Sequence, residues 1–361
     1  MKKIDHLFVS LVFLLVILGL IALTSASSEL GQVRFQDSYF YLKHQLIFGL
    51  SLGFLGFLIA TKINYHYWHK ISFFILLFNI LLLILTLTPL GVSSGGASRW
   101  LRIGKISFQP GETIKFTYLI YLAAWLTEKN RTKKFSKGFL PFTIITALII
   151  VLLLAQPSTS TALIVLMTGL AVYFLRGASS KFILETILLG VVGFGLVIYF
   201  TPYRLQRIIA FLYPQIDPQG SSYHLSQSLL AIREGGLFGV GLSKLSSKIY
   251  YLPEQIGDSI FSVIAHEAGF IGATLIIFLF LMLVQRCLWI GKKARDVFGK
   301  LLSSGFGLLV GIQAFIHIAC NSGIIPYTGL PLPFISYGGT AMVSFLTISG
   351  IITNISKHIK S

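Results

Sequence analysis

Leu7–Thr24, LFVSLVFLLVILGLIALT, is the stretch that decides the fold. It carries no charged side chain, and a run of eighteen such residues crosses the hydrocarbon core of a bilayer as a helix. The basic flank Met1-Lys2-Lys3 gives it the look of a secretory signal. The apolar run is longer than a signal core, and later runs of the same kind would hold the chain in the membrane anyway.

Outward from this segment the pattern repeats. Apolar runs fall near 44–61, 71–90, 112–127, 139–155, 159–175, 182–200, 260–284, 302–322 and 334–355. Gln156-Pro157-Ser158-Thr159-Ser160 must be a tight turn between two of them. The expected fold class is all-α: a polytopic membrane protein of about ten transmembrane helices, read as one unit over 1–361. Composition agrees. The chain is 55% hydrophobic and 11% charged, with mean hydropathy +0.81. Soluble domains carry about 25% charged residues.

The net charge of +17 would suggest nucleic acid on a soluble chain; in a membrane chain its placement decides. With both ends in the cytoplasm, 18 of the 29 basic residues fall on the inner side, among them Lys62, Lys70, Lys129, Arg131, Lys133, Lys134, Lys137, Arg176 and Lys181. This is the positive-inside pattern. The largest outer segment is 201–259, where Tyr223 to Ile232 reads as an amphipathic stretch on the membrane surface. Gly235 to Gly241 is glycine-rich without a Gly-Lys-Ser/Thr ending, so a turn between surface helices is expected rather than a phosphate cradle. Cys287 and Cys320 are read as unpaired apolar fillers. His66-Tyr67-Trp68-His69 is read as an interfacial belt rather than a metal site. Gly307 and Gly311 are read as a helix contact.

Ionisable groups at membrane depth need a partner or a function. Two clusters qualify, both toward the outer side, and a third piece stands out for its backbone. Arg99, Arg102 and Lys105 precede Gln109-Pro110-Gly111-Glu112, and Pro110 with an acid in the first turn marks a helix start. Lys115 follows three residues after Glu112, on the same helix face. In the second cluster Glu254 and Asp258 end the large loop, and His266-Glu267 lie inside the next span. The third is Gly329-Leu330-Pro331-Leu332-Pro333-Phe334-Ile335-Ser336-Tyr337-Gly338-Gly339, irregular backbone of the kind tolerated only when buried or lining a cavity.

These pieces resemble, in order, the motifs of the SEDS family of FtsW, RodA and SpoVE. The resemblance rests on Gly95-Gly96-Ala97-Ser98-Arg99-Trp100-Leu101-Arg102, Gln109-Pro110-Gly111-Glu112, Tyr203-Arg204-Leu205-Gln206-Arg207, Asp217-Pro218-Gln219-Gly220, Tyr251-Leu252-Pro253-Glu254 with Asp258, and Pro331 to Gly339. The run Gly239-Val240-Gly241-Leu242 into Lys248-Ile249-Tyr250-Tyr251 looks more like FtsW than RodA. Where the family has Pro-Asp-x-Gly-Thr, this chain has Pro157-Ser158-Thr159-Ser160-Thr161.

The resemblance implies a peptidoglycan glycosyltransferase of the bacterial cytoplasmic membrane. It would polymerise lipid II at the outer face beside a class B penicillin-binding transpeptidase and other divisome membrane proteins, with no nucleic acid. Asp258 is the implied catalytic residue. Arg99, Arg102, Glu112, Lys115, Arg204, Arg207, Glu254, Glu267 and Ser336 are implied substrate-binding residues. Inversion at the donor sugar needs one displacement and no covalent intermediate. No cofactor is required outright; a divalent cation, magnesium or manganese, held with help from Glu112, is the one candidate. The alternatives are a lipid II flippase or other transporter, a RodA-like elongation polymerase, and a scaffold that only recruits the transpeptidase.

Overall fold

The computed structural model describes residues 4–94, 97–104, 106–128, 131–132, 135–215, 222–242, 252 and 254–359. Lys105, Asp217-Pro218-Gln219-Gly220, Lys248 to Tyr251, Pro253, Gly95-Gly96, Lys2, Lys3, Lys129, Lys133, Lys134 and Lys360 lie outside the described residues.

Helices occupy all ten expected span positions. They are α1 (His6–Phe35), α2 (Phe40–His44) running through a π-helical stretch (Gln45–Ser51) into α3 (Leu52–Lys62), α4 (His66–Thr86), α5 (Pro110–Trp125), a π-turn (Phe135–Phe139) leading into α6 (Leu140–Ala155), α7 (Thr159–Leu175), α8 (Ser180–Tyr199), α11 (Ile260–Lys293), α12 (Val297–Asn321) and α13 (Gly339–Ser356). Eight of these positions are long and apolar enough to cross a membrane by length and composition, and α7 is a shorter apolar helix. Two further helices, α9 (Pro202–Leu212) and α10 (Tyr223–Gly235), belong to the long segment before α11.

Caps fix where the spans begin. The Asp5 carboxylate accepts the amide of Phe8, and Asp296 accepts that of Gly299, satisfying amides that a helix start leaves free. Pro110 opens α5 as expected. Asp5 also holds Arg286 at 2.8 Å and donates its own amide to Ser356. Both ends of the described chain therefore meet on the face that carries Lys62, Lys70, Arg176 and Lys357.

α5, α7, α12 and α13 form the middle of the bundle. There α12 packs closely on α11: a methyl on Gly307 would lie 2.6 Å from Cys287 Cβ. The expected helix contact is present, and both cysteines are free and buried.

Two features depart from the expectation. Residues 91–108 form a small antiparallel sheet, β1 (Gly91–Ser94), β2 (Ala97–Ile103) and β3 (Ile106–Phe108), in the order β1-β2-β3. Its strands are too short, and too disturbed by a bulge after Val92, to leave a period-2 pattern.

The glycine-rich run is also more than a turn. α11 breaks at Gly269 (φ 67°, ψ −167°). Phe270 and Ile271 give their amides to Gly236 and Leu237. The carbonyls of His266 and Glu267, their ordinary helical partners, accept from Val240 and Gly241 instead. Strip 236–241 thus replaces two bonds of a membrane helix. A Cβ at Gly239 would meet the Glu267 carbonyl at 2.1 Å, so glycine is required for this approach.

Candidate active site

The Glu254–Ser259 turn presents Asp258. Glu254 adopts φ 48°, and its carbonyl accepts from Gly257 and Ser259. Surrounding elements then fix the turn from several sides. Gln255 donates to the Ala26 carbonyl of α1 at 2.8 Å. Ser336 donates to the Gly257 carbonyl at 2.7 Å, and the Tyr337 amide to that of Ile256 at 2.8 Å. Asn321 donates to the carbonyl of Asp258 itself at 2.9 Å.

The carboxylate of Asp258 lies against the 329–338 loop: a methyl on Gly329 would sit 3.0 Å from Oδ2. That loop is irregular backbone packed into the bundle. A Cβ at Gly19, midway along α1, would lie 2.6 Å from the Ile335 Cα. Of the two settings expected for such backbone, residues 332–336 have the buried one, while Pro331 and Tyr337 to Gly339 are half-buried.

Burial pushes the Asp258 carboxyl up to about 6, and Glu254 adds to the rise, while Arg207 and Arg99 oppose it. Two guanidiniums on different elements thus act on one carboxylate. Arg99, on β2, donates to the carbonyls of Gln156 and Pro157 in the α6–α7 turn. This backbone pairing occupies the turn where the acid of the family motif is missing. Arg207, on α9, donates to the Tyr327 carbonyl at 3.3 Å and stacks over Tyr203. A guanidinium has five N–H donors, so both keep capacity for an anion.

Glu112 and Lys115 pair at 2.8 Å, with side chains only 5% and 0% exposed. Lys115 also donates to Gln313 Oε1 at 2.9 Å. The shared helix face expected from their spacing does bring the two together, and protein encloses the pair. Its ammonium gives two of its three N–H donors to these partners and is enclosed by protein, so in this structure it meets the site through Gln313. Glu112 is likewise committed to Lys115, and no three ligating side chains converge among the described residues. The ligand set expected for a divalent cation at Glu112 therefore does not fit, and no step is routed through one.

The remaining expected residues take varied positions. Arg102 is exposed on β2. Arg204 turns to Thr159 and Thr201. Glu254 is exposed beside Asp258. Glu267 accepts from Ser25 of α1, while its neighbour His266 faces Glu234 at 3.7 Å. Ser336 is buried, with its hydroxyl accepting from Leu332 and donating to Gly257, so it shapes the turn. Sequence reasoning missed Gln313, His317 and Asn321. The available signal was polar residues recurring every four positions in an otherwise apolar span.

Known proteins share this sequence and fold. A family model described as "Cell cycle protein", covering FtsW, RodA and SpoVE, matches residues 5–361. A probable peptidoglycan glycosyltransferase FtsW from Geobacter sp. (strain M18) is 36% identical, covering 99% of this chain and 97% of that protein. Stage V sporulation protein E of Bacillus subtilis (strain 168) is 35% identical over 98% of this chain and 97% of its own length. A chain of a peptidoglycan synthase complex, solved to show how polymerisation and crosslinking are coordinated, superposes with a TM-score of 0.82 at 25% identity, covering 98% of each chain. The chain belongs to the SEDS family of FtsW, RodA and SpoVE.

Proposed function

We propose that this protein is a peptidoglycan glycosyltransferase that polymerises lipid II at the outer face of the bacterial cytoplasmic membrane, in division rather than elongation. The observation that carries it is one carboxylate, Asp258, in a turn bonded from several sides and within the electrostatic reach of Arg99 and Arg207. Glycosyl transfer from a polyprenyl pyrophosphate to a sugar hydroxyl needs a base at the acceptor and positive charge at the leaving group. Asp258 takes the proton from the acceptor 4-hydroxyl as the new glycosidic bond forms. Arg99 and Arg207 face the pyrophosphate as its bond to the donor sugar breaks, since guanidinium matches phosphate oxygens. A raised carboxyl suits the base role, because it holds the proton better once received.

The division role is supported by the FtsW names among relatives that match this chain over nearly its full length. The match to a chain from a synthase complex supports a partner that crosslinks the product, a class B penicillin-binding transpeptidase. The enclosed Glu112–Lys115 pair favours an enzyme over a carrier, which needs charges open to both sides in turn. Lipid II polymerisation by the full chain with its cognate transpeptidase tests the reading. Glycan strands from the native protein, and none from Asp258→Ala, are expected. No strands from either would overturn it.

A further inference from the structure

Gln313, His317 and Asn321 lie four residues apart on α12, so they stack on one helix face. All three are buried. Each donates to a backbone carbonyl of a different residue around the site. Gln313 Nε2 reaches Pro331 at 2.8 Å, His317 Nδ1 reaches Leu330 at 2.6 Å, and Asn321 Nδ2 reaches Asp258 at 2.9 Å. Their other atoms extend the chain of contacts. Gln313 Oε1 accepts Lys115 of the buried ion pair, and Asn321 Oδ1 accepts Ser262 of α11 at 2.9 Å.

We infer that Gln313, His317 and Asn321 are positioning residues for the glycosyl-transfer reaction, a three-rung ladder that sets the Asp258 carboxylate against the 329–331 wall. The inference rests on the reading of Asp258 given above. Its physical basis is that loop carbonyls have no regular ladder of their own here. Whichever side chains satisfy them determine where the loops sit. The upper rung grips the main chain of Asp258. The middle and lower rungs grip Leu330 and Pro331, whose neighbour Gly329 abuts Oδ2. A shift of either loop changes the distance between the base and the hydroxyl it must reach, and small misplacements of this kind lower rate strongly. The His317 rung also fixes a tautomer. A carbonyl only accepts, so Nδ1 carries the hydrogen and Nε2 is a bare acceptor. Nε2 is buried with no hydrogen-bond partner among the described residues. Charging the ring would bury an unpaired donor, so this rung works with neutral histidine.

The test uses the full chain in lipid vesicles with its cognate transpeptidase and lipid II as substrate. Turnover is expressed per folded molecule, and thermal unfolding reports folded protein. Asn321→Ala and His317→Leu are expected to lower kcat about tenfold or more, with KM within about twofold. The pH midpoint of kcat is expected to move, because the carboxylate changes its surroundings. His317→Asn, whose Nδ2 can occupy the place of Nδ1, is expected to restore most of the lost kcat. Native kcat in both disruptive variants would overturn the ladder, as would a loss confined to KM or a His317→Asn protein no better than His317→Leu. Asp258→Asn serves as the control. An active Asp258→Asn protein overturns the site reading and the ladder with it. An inactive Asp258→Asn beside fully active ladder variants overturns the ladder alone.

Discussion

α8 and α12 are both membrane spans, yet they live in different solvents. Only 6% of the most apolar window of α8 is buried in the protein, against 72% for α12. Among its described residues α8 buries Thr186 alone. It presents Leu184, Leu188, Val191 and Leu196 outward, and nothing in it holds the site. α12 carries Gln313, His317 and Asn321 inside the protein, where α8 turns leucine and valine outward. Lipid penalises such groups, whereas protein supplies their partners. Polar side chains in a span therefore mark contact with the working interior, and their absence marks contact with lipid.

This contrast can be attacked in order of expected effect. The largest change is Asp258→Asn, at the turn that α12 grips. It is expected to cut lipid II polymerisation by about 100-fold or more, measured as glycan strand formation per folded protein. Next is Lys115→Met, which strands a buried carboxylate beneath α12. Breaking one partner of a buried pair costs about 3–5 kcal/mol, and replacing both partners with apolar residues costs far less. Thermal unfolding of Lys115→Met against Glu112→Leu/Lys115→Met reads the difference; equal losses would contradict the account of a sealed pair.

A smaller effect separates the two helices directly. Leu309→Ala in α12, at a fully buried site, is expected to destabilise by about 2–3 kcal/mol through the cavity it leaves. Leu188→Ala in α8, 55% exposed, should stay within about 0.5 kcal/mol. Comparable losses would erase the distinction drawn between the helices. The mildest perturbation is pH. The Asp258 carboxyl, at about 6, must be ionised to act as base. Below that point the protonated fraction grows, so kcat should fall about tenfold per pH unit well under 6 and level off above it. A rate flat from pH 5 to 8 would remove Asp258 from the base role.

Much of this was legible from residue order. Long apolar runs with few charges located every span, because transfer into lipid depends on composition along a short window. Gln109-Pro110 located the start of α5 through helix-terminus chemistry alone. Asp258 stood out as an acid at the mouth of a span, and its catalytic role came from the family resemblance. The unread parts all depend on distant partners. Arg204 and Arg207 are one turn apart, yet one faces a threonine of α7 and the other faces the site. Glu267, an implied substrate-binding residue, accepts from Ser25, 242 residues earlier, a partner that no local pattern shows. The ladder on α12 was hidden for the same reason: three polar side chains in a span announce a role without saying which carbonyls they hold.

The break in α11 bears on how the chain is made. A helix interrupted at Gly269 would enter the bilayer with the amides of Phe270 and Ile271 unmet, a cost of several kcal/mol each in hydrocarbon. Their acceptors, Gly236 and Leu237, lie earlier in the sequence. During synthesis they reach the far side of the membrane before α11 emerges. The strip is therefore waiting when the helix that needs it arrives. An insertion that delayed residues 236–241 relative to 260–271 should be felt as poor membrane integration rather than as slow catalysis.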